Sequence, residues 1–332
     1  MLTVALLGAG RIGQVHAQTI GAHAGSRLVA VADVMADAAQ ALADQARAEV
    51  RSIDAILADP SIDAVLIATS TDTHSDLIEA ATAAGKAVLC EKPVDLDLAR
   101  ARACLTRAEM SGQPVMVGFN RRFDPNFAAL KAAYEGGDIG TAELLSITSF
   151  DPAPPPLSYI GVSGGIFRDM MIHDLDIAQW IMGAAPVRVT AHGSALVDPA
   201  IGAAGDVDTA VATLEYADGR LCVIKNSRRA AYGYDQRIEL LGSKGLLQAG
   251  NVAEHTITRM GADGVVAAKP MHFFLERYMR AYQIEWAAFV AAVTAGDPMP
   301  ATLAEGVAAL AVADAATRSM QTGQPVDMTA PA

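Results

Sequence analysis

Near its start the chain runs Leu2-Thr3-Val4-Ala5-Leu6-Leu7-Gly8-Ala9-Gly10-Arg11-Ile12-Gly13. Residues 2–7 are an apolar run of strand length, and a helical pattern follows the glycines as far as Ile20. Strand, glycine turn and helix in that order form the unit that binds dinucleotides. Gly8 permits the tight turn, Gly10 lets backbone approach a pyrophosphate, and Gly13 lets helix and strand pack closely. The helix start at Arg11 and Ile12 then offers N–H groups to the phosphates.

Outward from that turn the same alternation repeats. Leu28–Ala32 is a second apolar strand ending in Asp33, about 20 residues past the glycines, where an acid accepts the adenosine ribose hydroxyls. A carboxylate there repels a 2′-phosphate, so NAD is expected rather than NADP; the alternative is a loop acid capping the next helix. Ala64–Ala68 reads as a buried strand, followed by Thr69-Ser70-Thr71-Asp72-Thr73-His74 and a helix ending near Gly85. Ala87–Cys90 is the next strand, then comes Glu91-Lys92-Pro93, and Pro114–Gly118 closes the series. Helices between short apolar strands predict βαβ units in a doubly wound parallel Rossmann sheet over residues 1–119.

Ligands of such sheets lie at the carboxyl ends of the strands. The expected cofactor rim is therefore Gly8, Gly10, Arg11, Ile12, Gly13, Asp33, Thr69, Ser70, His74, Glu91 and Lys92. His74 reads equally well as a first-turn surface histidine. Lys92 at a strand's carboxyl end can reach a substrate hydroxyl, although Glu-Lys-Pro by itself would be an ordinary exposed turn.

A second stretch carries chemistry: Gly164-Gly165-Ile166-Phe167-Arg168-Asp169-Met170-Met171-Ile172-His173-Asp174-Leu175-Asp176-Ile177-Ala178-Gln179-Trp180. At about 100° per residue, a helix here sets Asp169, His173 and Asp176 within one arc, with apolar side chains over most of the remainder. Burying two carboxylates and an imidazole costs several kcal/mol unless each is paired. An Asp one turn before a His fixes its tautomer and raises its basicity, leaving the imidazole to take a proton from a substrate hydroxyl. The structural alternative is an internally satisfied core network. No second His or Cys stands at ligand spacing, so no metal is expected.

At 332 residues the chain favours two domains, and 52% hydrophobic residues supply ample core. Lys and Arg total 25 against 37 Asp and Glu, a net charge of -12 without any basic block, which disfavours nucleic-acid and anionic-membrane partners. Three widely spaced cysteines, Cys90, Cys104 and Cys222, fit a reducing cytoplasm. No apolar run is long enough to span a membrane.

In residues 120–332 a helix is expected over Asp124–Tyr134 and a strand over Ala142–Phe150, followed by a proline-rich loop at Asp151-Pro152-Ala153-Pro154-Pro155-Pro156 that lies as a flap. From Val187 the period becomes that of strands: Val187–Ala191, Thr209–Tyr216, Leu221–Asn226 and Arg237–Leu241, with Asp218-Gly219 marking a hairpin. Strands without intervening helices predict an α+β domain, an open mostly antiparallel sheet with helices on one face. Its other face needs covering, for which a partner subunit is the economical answer. Long helices close the chain over Phe273–Thr294 and Leu303–Met320.

Three motifs together, Glu91-Lys92-Pro93, Gly118-Phe119-Asn120-Arg121-Arg122-Phe123-Asp124-Pro125 and Asp169-Met170-Met171-Ile172-His173, make the chain resemble the Gfo/Idh/MocA oxidoreductase family over nearly its full length. The proline-rich loop and Ser227-Arg228-Arg229 leading to Tyr232-Gly233-Tyr234-Asp235-Gln236-Arg237 are similar to its branch acting on inositols. That resemblance implies a catalytic trio of Lys92, Asp169 and His173, with NAD as cofactor and a homotetrameric assembly. It implies further that Asn120, Arg121, Asp151, Asp176 and one of Tyr232 or Tyr234 line a polyol site. Related enzymes often carry Asn where Asp151 stands and Met where Asn120 stands, and both departures bear on which stereoisomer is taken. The expected reaction is NAD-dependent oxidation of a cyclic polyol, myo-inositol at C2, to the ketone. The alternatives are another inositol isomer or an aldose, or a dinucleotide-binding sensor that has lost catalysis.

Overall fold

The opening apolar run forms β1 (Leu2–Leu7), and Val4 to Leu7 are fully buried. In the computed structural model, which describes residues 1–329, β1 lies inside a six-stranded parallel sheet. Its partners are β2 (Ser26–Ala32), β3 (Glu49–Val50), β4 (Ala64–Ile67), β5 (Ala87–Glu91) and β6 (Val115–Gly118), in the order β3-β2-β1-β4-β5-β6. This is the doubly wound order with its switch point beside β1. Both faces are covered by helices, which is why these strands read as unbroken apolar runs rather than as alternating ones. The two-residue, exposed β3 is too short to leave any such pattern.

Two compact units are present, Met1–Phe123 with Arg280–Leu310, and Asp124–Met279 with the residues from Ala311 on. Within the first, Trp286 is buried and its indole Nε1 donates to Ser26 Oγ at 2.9 Å. The N–H of Val117 donates to the Ala301 carbonyl at 2.9 Å. The last long helix, Leu303–Thr322, begins at a capping box: Glu305 N–H donates to Thr302 Oγ1 at 3.2 Å, and Thr302 N–H returns to Glu305 Oε2 at 2.7 Å.

The second unit is built on β7 (Ala142–Phe150), β8 (Arg188–Ser194), β9 (Thr209–Glu215), β10 (Leu221–Ser227), β11 (Asp235–Gly242) and β12 (Gly245–Ala249). A hairpin of β13 (Thr258–Gly261) and β14 (Gly264–Ala267) and a short β15 (Val326–Asp327) complete it. The seven-stranded sheet runs β12-β11-β7-β10-β9-β8-β15, and only β7 and β10 pair in parallel. Gly219 at φ +89° turns the hairpin between β9 and β10, as Asp218-Gly219 predicts.

Alternate residues such as Leu145, Ile147, Leu214 and Ile224 face the core and meet Leu175, Ala178 and Ile181 of the helix Ile172–Met182. Val211 on β9, Leu221 on β10 and Leu241 on β11 remain exposed. The parallel sheet followed by a mostly antiparallel one with helices on its core face is the expected architecture.

The structure departs from the expected elements in several places, among them a short helix, Pro199–Ala203, between β8 and β9, where strands were expected to follow one another directly. A single helical turn, Leu157–Ile160, follows the prolines where a loop was expected. The helix carrying Asp169 and His173 opens as a π-helical turn over Phe167–Met171 and becomes α-helical only from Ile172. Among the described residues no helix is long and apolar enough to cross a membrane, no His/Cys/Asp/Glu group could hold a metal, and the three cysteines are buried free thiols.

Candidate active site

In the first unit the glycine turn divides its work among its members. Gly8 has φ +102°, and a Cβ there would lie 2.3 Å from the Ala68 carbonyl oxygen. A Cβ on Gly13 would lie 2.0 Å from the Gly8 carbonyl oxygen. Gly10 is different: a Cβ there would meet nothing within 4 Å. Two glycines are required by the protein's own packing, and the third borders open space at the start of the helix Arg11–Ala22, which no side chain caps. Open space beside a helix N-terminus fits a pyrophosphate. Asp33, just past β2, accepts the Ala9 N–H on Oδ2 at 2.6 Å and the Met35 N–H on Oδ1 at 2.7 Å, which holds the carboxylate at the edge of that turn. Each oxygen keeps a second lone pair for a ribose hydroxyl.

Thr69 and Ser70 follow β4, with the Thr69 and Thr73 hydroxyls 2.7 Å apart and Thr73 donating to the Ser70 carbonyl at 2.8 Å. His74 is no surface histidine. It is 1% exposed, with Nδ1 2.8 Å from the Pro93 carbonyl and Nε2 3.2 Å from the Thr69 carbonyl, so it ties two rim loops together. Glu91, at the end of β5, pairs with His16 Nε2 at 2.7 Å. Lys92 follows at a cis bond to Pro93.

In the same unit Glu285 is fully buried, with both carboxyl oxygens lacking a hydrogen-bond partner. Burial, and after it the Glu91 charge, holds Glu285 well above the usual carboxyl range. Asn120 and Arg121 are buried in the turn Asn120–Phe123 that follows β6.

In the second unit the π turn places Asp169 one wide turn before His173. Both are partly exposed, whereas Asp174 and Asp176 are buried. Asp174 belongs to the core, accepting from Asn226 Nδ2 at 2.8 Å. Asp169 is held from two sides: Tyr159 donates to Oδ1 at 2.8 Å, and both terminal nitrogens of Arg228 lie 3.3 Å from Oδ2. Asp151 ends β7, its N–H bonded to the Ser227 carbonyl at 2.8 Å.

Of the two tyrosines, Tyr234 is buried with its ring edge-on to Tyr278, and Tyr232 is 45% exposed and donates to Asp235. Burial would raise the Asp235 carboxyl, but bonds from Arg237, Tyr232 and Asn251 outweigh it and hold it below the usual range. Tyr159, Arg228 and Asp206, which surround Asp169, carry no periodicity of their own. The only sequence signal for any of them is that Ser227-Arg228-Arg229 and the proline-rich loop belong to the family likeness.

Residues 2–119 match the oxidoreductase family's NAD-binding Rossmann fold, and residues 127–248 match the GFO/IDH/MocA C-terminal domain. The chain belongs to the Gfo/Idh/MocA oxidoreductase family. Among its relatives is an inositol 2-dehydrogenase of Rhizobium meliloti, 52% identical over 316 residues that cover 95% of this chain and 96% of the relative. A crystal structure of a myo-inositol dehydrogenase from Corynebacterium glutamicum superposes with a TM-score of 0.96 at 44% identity, covering 100% of both chains. A scyllo-inositol dehydrogenase from Lactobacillus casei, solved with bound NAD(H) and scyllo-inositol, superposes with a TM-score of 0.92 at 28% identity, covering 99% of this chain and 100% of that one. Residues 2–119, which contain the glycine turn, Asp33 and the six-stranded sheet, are thus a Gfo/Idh/MocA NAD-binding domain.

Proposed function

We propose that this chain oxidises the C2 hydroxyl of myo-inositol to the ketone with NAD. The observation that carries this reading is the pair Asp169 and His173, one turn apart on a charge-held helix in a chain so similar to inositol dehydrogenases. Bound NAD supplies the hydride acceptor for the C2 hydrogen. His173 takes the hydroxyl proton as general base, Asp169 orients it and stabilises the imidazolium, and Lys92 donates a hydrogen bond to the reacting oxygen as it becomes a carbonyl. Asn120, Arg121, Asp151, Asp176 and one of Tyr232 or Tyr234 contact the other ring hydroxyls. Glu91, Thr69 and Ser70 border the cofactor, and Asp33 selects NAD over NADP.

A second reading, oxidation of another inositol isomer, is favoured by the likeness to a scyllo-inositol dehydrogenase. The two are separated by kcat/KM for a panel of inositol isomers and aldoses, each with NAD and NADP. The first reading expects myo-inositol with NAD to lead; a higher value for another polyol, or for NADP, overturns that part of it.

We also propose a cytoplasmic homotetramer in which a second copy covers the sheet face that exposes Val211, Leu221 and Leu241. Support comes from that apolar face and from the free thiols. A monomeric mass in solution would contradict it.

A further inference from the structure

Arg228 follows β10 and is 1% exposed, so its charge has little water to screen it and requires anionic partners. It has two. Nη1 and Nη2 both stand 3.3 Å from Asp169 Oδ2, and Nη2 lies 3.7 Å from Asp206 Oδ2. Asp206 in turn accepts the Ile166 N–H on Oδ1 at 3.0 Å. The same oxygen lies 3.0 Å from where a Cβ on Gly165 would be. Arg228 therefore spans the acid that anchors the start of the Asp169 helix and the acid within it. From the opposite side Tyr159, on the single turn behind Pro154-Pro155-Pro156, donates its hydroxyl to Asp169 Oδ1 at 2.8 Å.

We propose that Arg228 and Tyr159 are positioning residues for the oxidation: they hold the Asp169 carboxylate in the plane that orients His173, and Tyr159 couples the proline-rich loop to that carboxylate. This rests on the reading of Asp169 and His173 given above. Two donors on different oxygens fix the carboxylate's rotation, which one donor leaves free. The 3.3 Å contacts are longer than the roughly 2.8 Å of a tight charge-assisted bond, so Arg228 acts mainly through its field and Tyr159 through geometry.

Asp169 is faced by Tyr159 from the loop helix, Arg228 from the end of β10, and Asp206, paired to Arg228, from the segment before β9. Its own helix adds Arg168, which is bound to Asp314 at 2.7 Å, together with His173, Asp176 and Asp174, the last bound to Asn226. Loss of the Arg228 cation or of the Tyr159 donor makes the carboxylate a stronger partner for the imidazolium. The imidazole then keeps its proton to a higher pH.

The test measures kcat and KM against pH for Tyr159→Phe, Arg228→Lys, Arg228→Met and Asp169→Asn in the full-length enzyme. Tyr159→Phe, altering a half-exposed side chain, should keep the native Tm and the native KM for NAD while kcat falls about tenfold, in line with losing a bond to a charged group. The acid limb of its profile should move to higher pH. Arg228→Met should move that limb further, and Arg228→Lys, which keeps the charge, should restore part of the shift. If Arg228→Met does not fold, Tyr159→Phe and Arg228→Lys decide the matter.

Native kcat and a native acid limb in Tyr159→Phe and Arg228→Lys, with Asp169→Asn at least about 10²-fold slower, would overturn the positioning role and leave the site intact. Native kcat in Asp169→Asn would instead remove the reading of the site, and this proposal with it.

Discussion

The two units make their candidate sites by opposite means. The first does it by leaving atoms out: at Gly8 and Gly13 a single methyl would strike backbone at 2.3 Å and 2.0 Å, and at Gly10 the missing side chain leaves open space. The second does it by adding charge where charge is costly, a buried guanidinium between Asp169 and Asp206. Part of that space is specified locally, by the Gly8 carbonyl that faces Gly13, and part across the fold, by the Ala68 carbonyl that faces Gly8. Charge is specified across the fold, because Arg228 lies 59 positions from Asp169. Substitutions at the glycine turn should therefore act on folding or on cofactor binding, and those around Asp169 on turnover and its pH dependence.

The largest expected effect breaks the first site. Gly13→Val puts side-chain atoms into the Gly8 carbonyl and should leave no cooperatively folded protein by thermal melting, whereas Gly10→Ala should melt like the parent and bind NAD more weakly in a titration. Native NAD affinity in Gly10→Ala would mean that the space beside it is not the pyrophosphate's. Next, Lys92→Met should lower kcat at least about 10²-fold with the Tm unchanged, as expected for a group acting in the transition state. A change confined to KM would make Lys92 a binding residue only.

The smallest effect concerns Glu285, the first unit's own exception to construction by empty space. Burial raises its folded-state pKa, so the folded chain keeps a proton that the unfolded chain gives up. Its contribution to stability is full below the unfolded carboxyl's pKa and is lost as pH rises towards the folded value, by up to about 1.4 kcal/mol per unit. Glu285→Gln should flatten that slope and raise the Tm at pH 8 relative to the parent, more than at pH 5. Parallel melting curves for the two proteins across that range would contradict a protonated Glu285.

What was legible in the sequence follows the same division. The strand, glycine turn and helix at Leu2–Gly13, the acid at Asp33 and the hairpin at Asp218-Gly219 are local patterns, and each stands in its expected element. The π turn at Phe167–Met171 was not legible, because a helix of either pitch presents the same apolar residues to the core. His74 could not be assigned from its neighbours, since the carbonyl of Pro93 that buries it is 19 positions away. Tyr159 and Arg228 escaped for the same reason: nothing within a few residues of either one indicates Asp169.

In the proposed oxidation His173 removes the substrate's hydroxyl proton. Steady-state NADH formation from myo-inositol by His173→Ala, measured beside NAD binding by the same variant, isolates that step. kcat should fall at least about 10²-fold with NAD affinity unchanged; turnover at the native rate would rule out His173 as the base.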